Sequence, residues 1–182
     1  GFSDIYTGNI LLVGDGTGRF LNKSRDLPSG NHSHQKANAF ASSIADFNGD
    51  GCGDIVMHLQ GKTISIWMSH NGKHLPRTFK ELSMEDYYGK GNMKVNYMSS
   101  GDLDGDGFSE LIVGAFYDDS TTTDAGSVWI LQGQASGVYS AGLATEITDS
   151  TGTASDYFGA SVAVLDKNND GNLDIAIGAP LE

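Results

Sequence analysis

Three stretches of this chain align without a gap: DFNGDGCGDIVM at residues 46–57, DLDGDGFSELIV at 102–113 and DKNNDGNLDIAI at 166–177. Each carries Asp at position one, Asp or Asn at three, Asp at five, Gly at six and Asp or Glu at nine. Each then runs straight into an aliphatic segment. No other feature restricts the fold so much, because a repeat in fixed register means one supersecondary unit built several times over. The opening GFSD, residues 1–4, matches positions six to nine and reads as the second half of a fourth copy. The ninth positions are Asp4, Asp54, Glu110 and Asp174, which sets the repeats at 50, 56 and 64 residues.

The segments around the acidic loops predict strands. Small and apolar residues precede each loop, at 40–45, 97–101 and 160–165, and apolar runs follow at 55–59, 111–116 and 175–180. A third set of runs lies at 9–13, 63–68 and 127–131, with weaker fourth runs near 78–82 and 144–148. These runs are short, glycine-bounded and rich in β-branched and aromatic residues, which favours strands over helices. The NGK at 71–73 and GDGTG at 14–18 read as hairpin turns. About four strands per repeat describes a β-propeller blade better than a solenoid coil.

The fold class expected is therefore all-β, with four-stranded antiparallel sheets as the blades of a partial propeller of about three blades. An open β-sandwich with acidic turns is the alternative. Residues 1–38 form the end of one blade, 39–93 and 94–155 two further blades, and 156–182 the start of the next. Propellers close with about four to eight blades, so the remaining blades or self-association would complete the ring.

The acidic loops predict metal. Alternate side chains in an irregular turn converge on one point, and carboxylates so crowded repel one another unless an ion lies between them. The predicted ligands are Asp46, Asn48, Asp50 and Asp54 with the backbone carbonyl of Cys52 in the first loop. In the second they are Asp102, Asp104, Asp106 and Glu110 with the carbonyl of Phe108. In the third they are Asp166, Asn168, Asp170 and Asp174 with the carbonyl of Asn172. Such hard oxygen donors in irregular geometry suit calcium (Ca2+), whereas magnesium wants a stricter octahedron and zinc wants His or Cys. An EF-hand needs a Glu at position twelve, where this chain has Met57, Val113 and Ile177. Three ions would bring the net charge of −12 to −6.

That charge argues against nucleic acid and against anionic membrane surfaces. No apolar run approaches the roughly 18 residues that span a bilayer, so no membrane insertion by this segment is expected. The single cysteine, Cys52, has no intrachain disulfide partner and reads as a small half-buried residue. NKS at Asn22 and NHS at Asn31 are glycosylation acceptors if the chain is secreted by a eukaryote. The GKT at 61–63 lacks the earlier glycine of a phosphate loop, since Val56 stands there. His32 and His34 read as part of a solvated loop, and no nucleophile turn of the Gly-x-Ser-x-Gly kind occurs.

At this point the residues resemble a known family. YFGASVAVLDKNNDGNLDIAIGAP, residues 157–180, is similar to the FG-GAP repeat of integrin alpha-chain propellers, with Phe158-Gly159, the acidic loop and Gly178-Ala179-Pro180. Residues 103–131 resemble the same repeat, with Gly114-Ala115-Phe116 where Gly-Ala-Pro is usual. NILLVGDGTGRF, residues 9–20, is similar to the related VCBS repeats of secreted bacterial proteins. The resemblance implies structural calcium in a loop joining the first two strands of a blade. It also implies partner binding on the opposite face, through loops 25–38, 85–92, 117–125 and 149–157. Candidate partner residues there are Tyr87, Tyr88, Tyr117, Asp118 and Tyr157. The departures are MHLQG at 57–61, which lacks Gly-Ala-Pro, the missing Phe-Gly before the first loop, and the absence of integrin disulfides. They point to a distant relative rather than to an integrin.

The function expected is a non-catalytic, calcium-stabilised extracellular adhesion module that recognises a protein or carbohydrate. The alternatives are the propeller portion of a secreted hydrolase or lyase, and a lectin.

Overall fold

Backbone pairing follows the aliphatic runs closely. The computed structural model describes residues 5–7, 10–23, 41–58, 63–70, 73–83, 95–119, 121–136, 139, 143–151 and 153–181. Among them are thirteen strands and no α-helix. β1 (Ile5–Thr7), β2 (Ile10–Gly14) and β3 (Phe20–Asn22) form a three-stranded sheet. β4 (Ala41–Ala45), β5 (Asp54–His58), β6 (Thr63–His70) and β7 (Lys73–Ser83) form a four-stranded one. β8 (Tyr97–Gly101), β9 (Glu110–Ala115), β10 (Ser127–Leu131) and β11 (Ala144–Ile147) form a second. β12 (Ser161–Leu165) pairs with β13 (Asp174–Gly178). Every pairing is antiparallel between consecutive strands, with no crossover. The opening GFSD, the segment before β4 and the NGK turn residues Asn71 and Gly72 lie outside the described residues.

The first strands of successive sheets lie side by side. β4 packs beside β8, and β8 beside β12, as inner strands of propeller blades do. Small residues allow this approach: Ser43 Oγ and Ser100 Oγ are 2.6 Å apart across the β4–β8 contact. The second strands lie deeper. β5 and β9 are buried along their whole length, the pattern of a strand covered on both faces. The two four-stranded sheets share one apolar core. Val56, Ile64, Ile66 and Met68 on one sheet, and Leu111, Val113 and Leu131 on the other, form one cluster with Phe47, Val95 and Tyr139. Ile64, Ile66 and Met68 alternate along β6, so period two places all three on the same face. Each fully buried aliphatic side chain contributes about 1.5–3 kcal/mol of transfer free energy.

The next junction also brings backbone into close contact with backbone. Gly126 bridges Phe158 in parallel register, and Phe158 N donates to Ala125 O at 2.8 Å. Gly159 lies so close to β10 that a methyl group there would sit 2.5 Å from Ser127 O. A methyl on Gly114 would collide with Gly159 O. Glycines in the Gly-Ala and Phe-Gly motifs of neighbouring repeats therefore interlock through backbone contact, which a Cβ would prevent.

Candidate metal centres

The three acidic loops join the first strand of a sheet to the second: β4 to β5, β8 to β9, and β12 to β13. Local chemistry bends each one. Positions four and six both take positive φ: Gly49 (70°) and Gly51 (81°), Gly105 (76°) and Gly107 (89°), Asn169 (58°) and Gly171 (90°). Two left-handed residues in three fold the backbone into a tight loop, and only Gly and Asn reach that region at little cost. The glycine at six was legible in the sequence. The requirement at four was missed, although its signal is there in Gly49, Gly105 and Asn169.

The position-one carboxylate organises each loop. Asp46 accepts from Asp50 N (3.1 Å) and Gly51 N (2.7 Å). Asp102 accepts from Gly105 N (2.8 Å) and Gly107 N (3.0 Å). Asp166 accepts from Asp170 N (3.2 Å) and Gly171 N (3.0 Å). Positions three and five each accept from the amide two residues on: Asn48 from Asp50 N, Asp104 from Asp106 N and Asn168 from Asp170 N, then Asp50, Asp106 and Asp170 from Cys52 N, Phe108 N and Asn172 N. In the second loop, carboxylate oxygens of Asp102, Asp104 and Asp106 lie within 4.8 Å of one another.

Position nine is different. Asp54 and Glu110 are fully buried, and both carboxylate oxygens are engaged. Asp54 Oδ2 accepts from Phe47 N at 3.0 Å and Oδ1 from Ser69 N at 2.7 Å. Glu110 Oε2 accepts from Leu103 N at 2.7 Å and Oε1 from Gly133 N at 3.2 Å. Asp174 Oδ2 accepts from Lys167 N at 3.0 Å. The ninth residue thus clamps the loop shut at position two. In the first two repeats it also ties the loop to the chain near the third strand. Ser69 and Gly133 are functional neighbours that sequence reasoning did not find, and their donors are backbone groups with no residue-type signal. Gly133 carries a steric one, since a methyl there would lie 2.5 Å from Ser109 O.

This arrangement stores electrostatic cost. Burial pushes the Asp54 carboxyl up from 3.8 to about 6; repulsion from Asp50 and Asp46 adds to it, and the Ser69 and Phe47 amides oppose it. Burial raises Glu110 likewise, reinforced by Asp104 and Asp106. Exposed Asp170 is lowered, chiefly by the Asn172 amide and then by the Asn168 side chain. The donor set fits calcium: oxygen-only, anionic, gathered on irregular backbone and free of His. The side chains expected to hold an ion are those at positions one, three, five and nine, with the carbonyls of Cys52, Phe108 and Asn172; among the described residues the acidic group drawn within 4.8 Å is Asp102, Asp104 and Asp106, and it does not include Glu110. Such an ion supplies positive charge where the buried carboxylates lack it.

The antiparallel order places the β9–β10 and β11–β12 connections at the end of the sheets opposite these loops. Tyr117 and Tyr157 meet there. Phe116 and Tyr117 have ring centroids 4.0 Å apart, and Tyr157 meets them edge-on at 5.5 and 5.6 Å. Tyr157 holds a φ of 58°, uncommon for a bulky side chain. Asp118 is buried, and its carboxylate accepts from Ser127 Oγ at 2.5 Å, so it braces β10. Tyr87 and Tyr88, with loops 25–38 and 85–92, lie outside the described residues. The GDGTG segment is the β2–β3 hairpin turn, closed by Asp15 accepting from Thr17 N at 2.8 Å.

Both the interlocked glycines and the acidic loop of the later repeats fall inside segments that a known family shares. The family model of the FG-GAP repeat matches residues 98–131, which run from β8 through the second acidic loop to β10, and residues 158–182, which carry Phe158-Gly159 and the third loop.

Proposed function

We propose that this chain is a calcium-stabilised segment of an extracellular β-propeller, acting as a binding or adhesion module with no chemistry of its own. The observation that carries the reading is the convergence of Asp102, Asp104 and Asp106 within 4.8 Å on a loop whose ninth carboxylate is already buried. Crowded anions of that kind are tolerable when a divalent ion lies among them. The FG-GAP match supports an integrin-like propeller module. Calcium outside cells, at about millimolar levels, would keep even weak sites of this type filled.

The three ions act structurally, fastening each loop between its first two strands. Recognition is assigned to the opposite end, where Phe116, Tyr117 and Tyr157 form an aromatic group. Aromatic side chains of this kind anchor proteins or stack on sugars. Native mass spectrometry in calcium acetate tests the metal part, with three ions per chain expected. Protein and glycan arrays, probed with the chain and its Tyr117→Ala and Tyr157→Ala variants, test the binding part. A turnover assay that found a substrate would oppose it.

A further inference from the structure

Neighbouring acidic loops are not equally joined. Loop one (46–54) and loop two (102–110) share a backbone hydrogen bond, from Ser109 N to Asp46 O at 2.9 Å. Ser109 is position eight of loop two, and Asp46 is position one of loop one. The ring of Phe108 also covers loop one: a methyl group on Gly49 would lie 2.6 Å from Phe108 Cε1 and 2.9 Å from Cδ1. A third contact runs through Tyr139, which meets Phe47 edge-on at 5.9 Å and whose hydroxyl donates to Ser109 O at 3.4 Å. Loop three (166–174) touches the loop-two region through apolar groups. A methyl on Gly101 would lie 2.9 Å from both Leu173 Cδ1 and Val164 Cγ1. No backbone hydrogen bond joins loops two and three among the described residues.

We infer that loops one and two bind calcium as a positively coupled pair, with Phe108 and Ser109 as the coupling residues, while loop three fills independently. The inference rests on the calcium reading above. An ion in loop two fixes the carboxylates and the Phe108 carbonyl in one geometry. That geometry also sets the Phe108 ring against Gly49 and the Ser109 amide against Asp46 O. An ion in loop one then finds part of its ordering already done, and coupling of this kind is reciprocal. Loop three lacks such a shared backbone link, so its filling changes little at loop two.

The test uses the 182-residue chain titrated with calcium chloride, following the backbone amides of Gly51, Gly107 and Gly171 by NMR as separate reporters of the three loops. Asp50→Asn weakens loop one. The expected result is a loss of calcium affinity at loop two of about 5-fold or more, the low end of typical coupling. Asp170→Asn should leave the loop-two affinity within about 2-fold of the unsubstituted chain, well inside that coupling range. In a Phe108→Ala background, adding Asp50→Asn should no longer shift loop two. Faster amide exchange at Ser109 in Asp50→Asn, measured with loop two saturated, is a second readout that does not require the Phe108 variant to fold. Equal loop-two affinities with and without Asp50→Asn, or an equal loss from Asp170→Asn, would overturn the coupling while leaving calcium binding intact. No response to calcium at any of the three glycines would overturn the calcium reading and the coupling with it.

Discussion

Ser69 donates its backbone N–H to the buried carboxylate of Asp54 at 2.7 Å. The last residue of an acidic loop is thereby tied to the third strand of its own sheet, so loop and sheet are one mechanical unit. Glu110 repeats the arrangement with Gly133 N. A group that reads in the sequence as a metal ligand therefore also has a second, purely structural duty.

Replacing that carboxylate separates the two duties. In Asp54→Asn one carboxylate oxygen becomes an N–H2 that faces the Phe47 or Ser69 amide, donor against donor. A buried amide left without its acceptor costs about 1–3 kcal/mol. Urea unfolding in chelator at pH about 5, where burial has already left the Asp54 carboxyl largely neutral and the lost charge no longer offsets the lost acceptor, should show that loss of stability even with no metal to bind. A stability unchanged within error would mean the clamp contributes nothing.

The raised pKa of Asp54 predicts how the metal-free chain responds to pH. Folding lifts this group from 3.8 to about 6, so between those values the folded state holds more protons than the unfolded one. Its stabilising contribution is present below the unfolded value and is lost as pH rises through about 6. Glu110 shifts in the same direction. Asp170, shifted down, acts oppositely and only below its ordinary 3.8. In chelator the melting temperature should rise as pH falls from about 7 to about 5, the window these shifts set. With calcium saturating, the ion takes the proton's place and that gain should vanish.

Two glycine substitutions isolate the backbone junction between the last two sheets. Gly18 has a φ of 85° with nothing within 4 Å of an added methyl. Gly126 has a nearly equal φ of 87°, but a methyl there runs into the Phe158 backbone. Gly18→Ala should cost only the left-handed strain, about 1–2 kcal/mol. Gly126→Ala should cost that plus a forced separation of β10 from the Phe158 segment. Thermal unfolding of both variants checks this, and equal losses would show that the junction yields freely.

Much of the fold was legible because strand signals and the repeat agreed. The spans expected at 97–101 and 127–131 coincide with β8 and β10 at both ends. The acidic loops fell where expected, because their side chains bend the backbone locally and need no distant partner. The fourth strand was harder. Residues 78–82 were expected, whereas β7 runs Lys73–Ser83. Its sequence KHLPRTFKELS is polar and contains Pro76, which demotes a strand by pattern alone. As the edge strand of its sheet it needs pairing on one side only, so the proline is tolerated. At the candidate site, the residue types at positions one to six carried their own signal. The donors at Ser69 and Gly133 did not, since a backbone amide is the same in every residue except proline. Nor did the contact between Ser109 and Asp46, which arises only when neighbouring repeats stack.

The most direct measurement is thermal unfolding of the whole chain at neutral pH, in about 1 mM calcium and in chelator, the range in which extracellular calcium modules fill. Three sites, each held at about 10 times its dissociation constant, add about 1.4 kcal/mol apiece, about 4 kcal/mol together. At roughly 2–4 °C per kcal/mol for a chain of this size, the melting temperature should rise by at least about 5 °C with calcium. Superimposable curves in calcium and in chelator would contradict the claim that ions in these loops hold the sheets together.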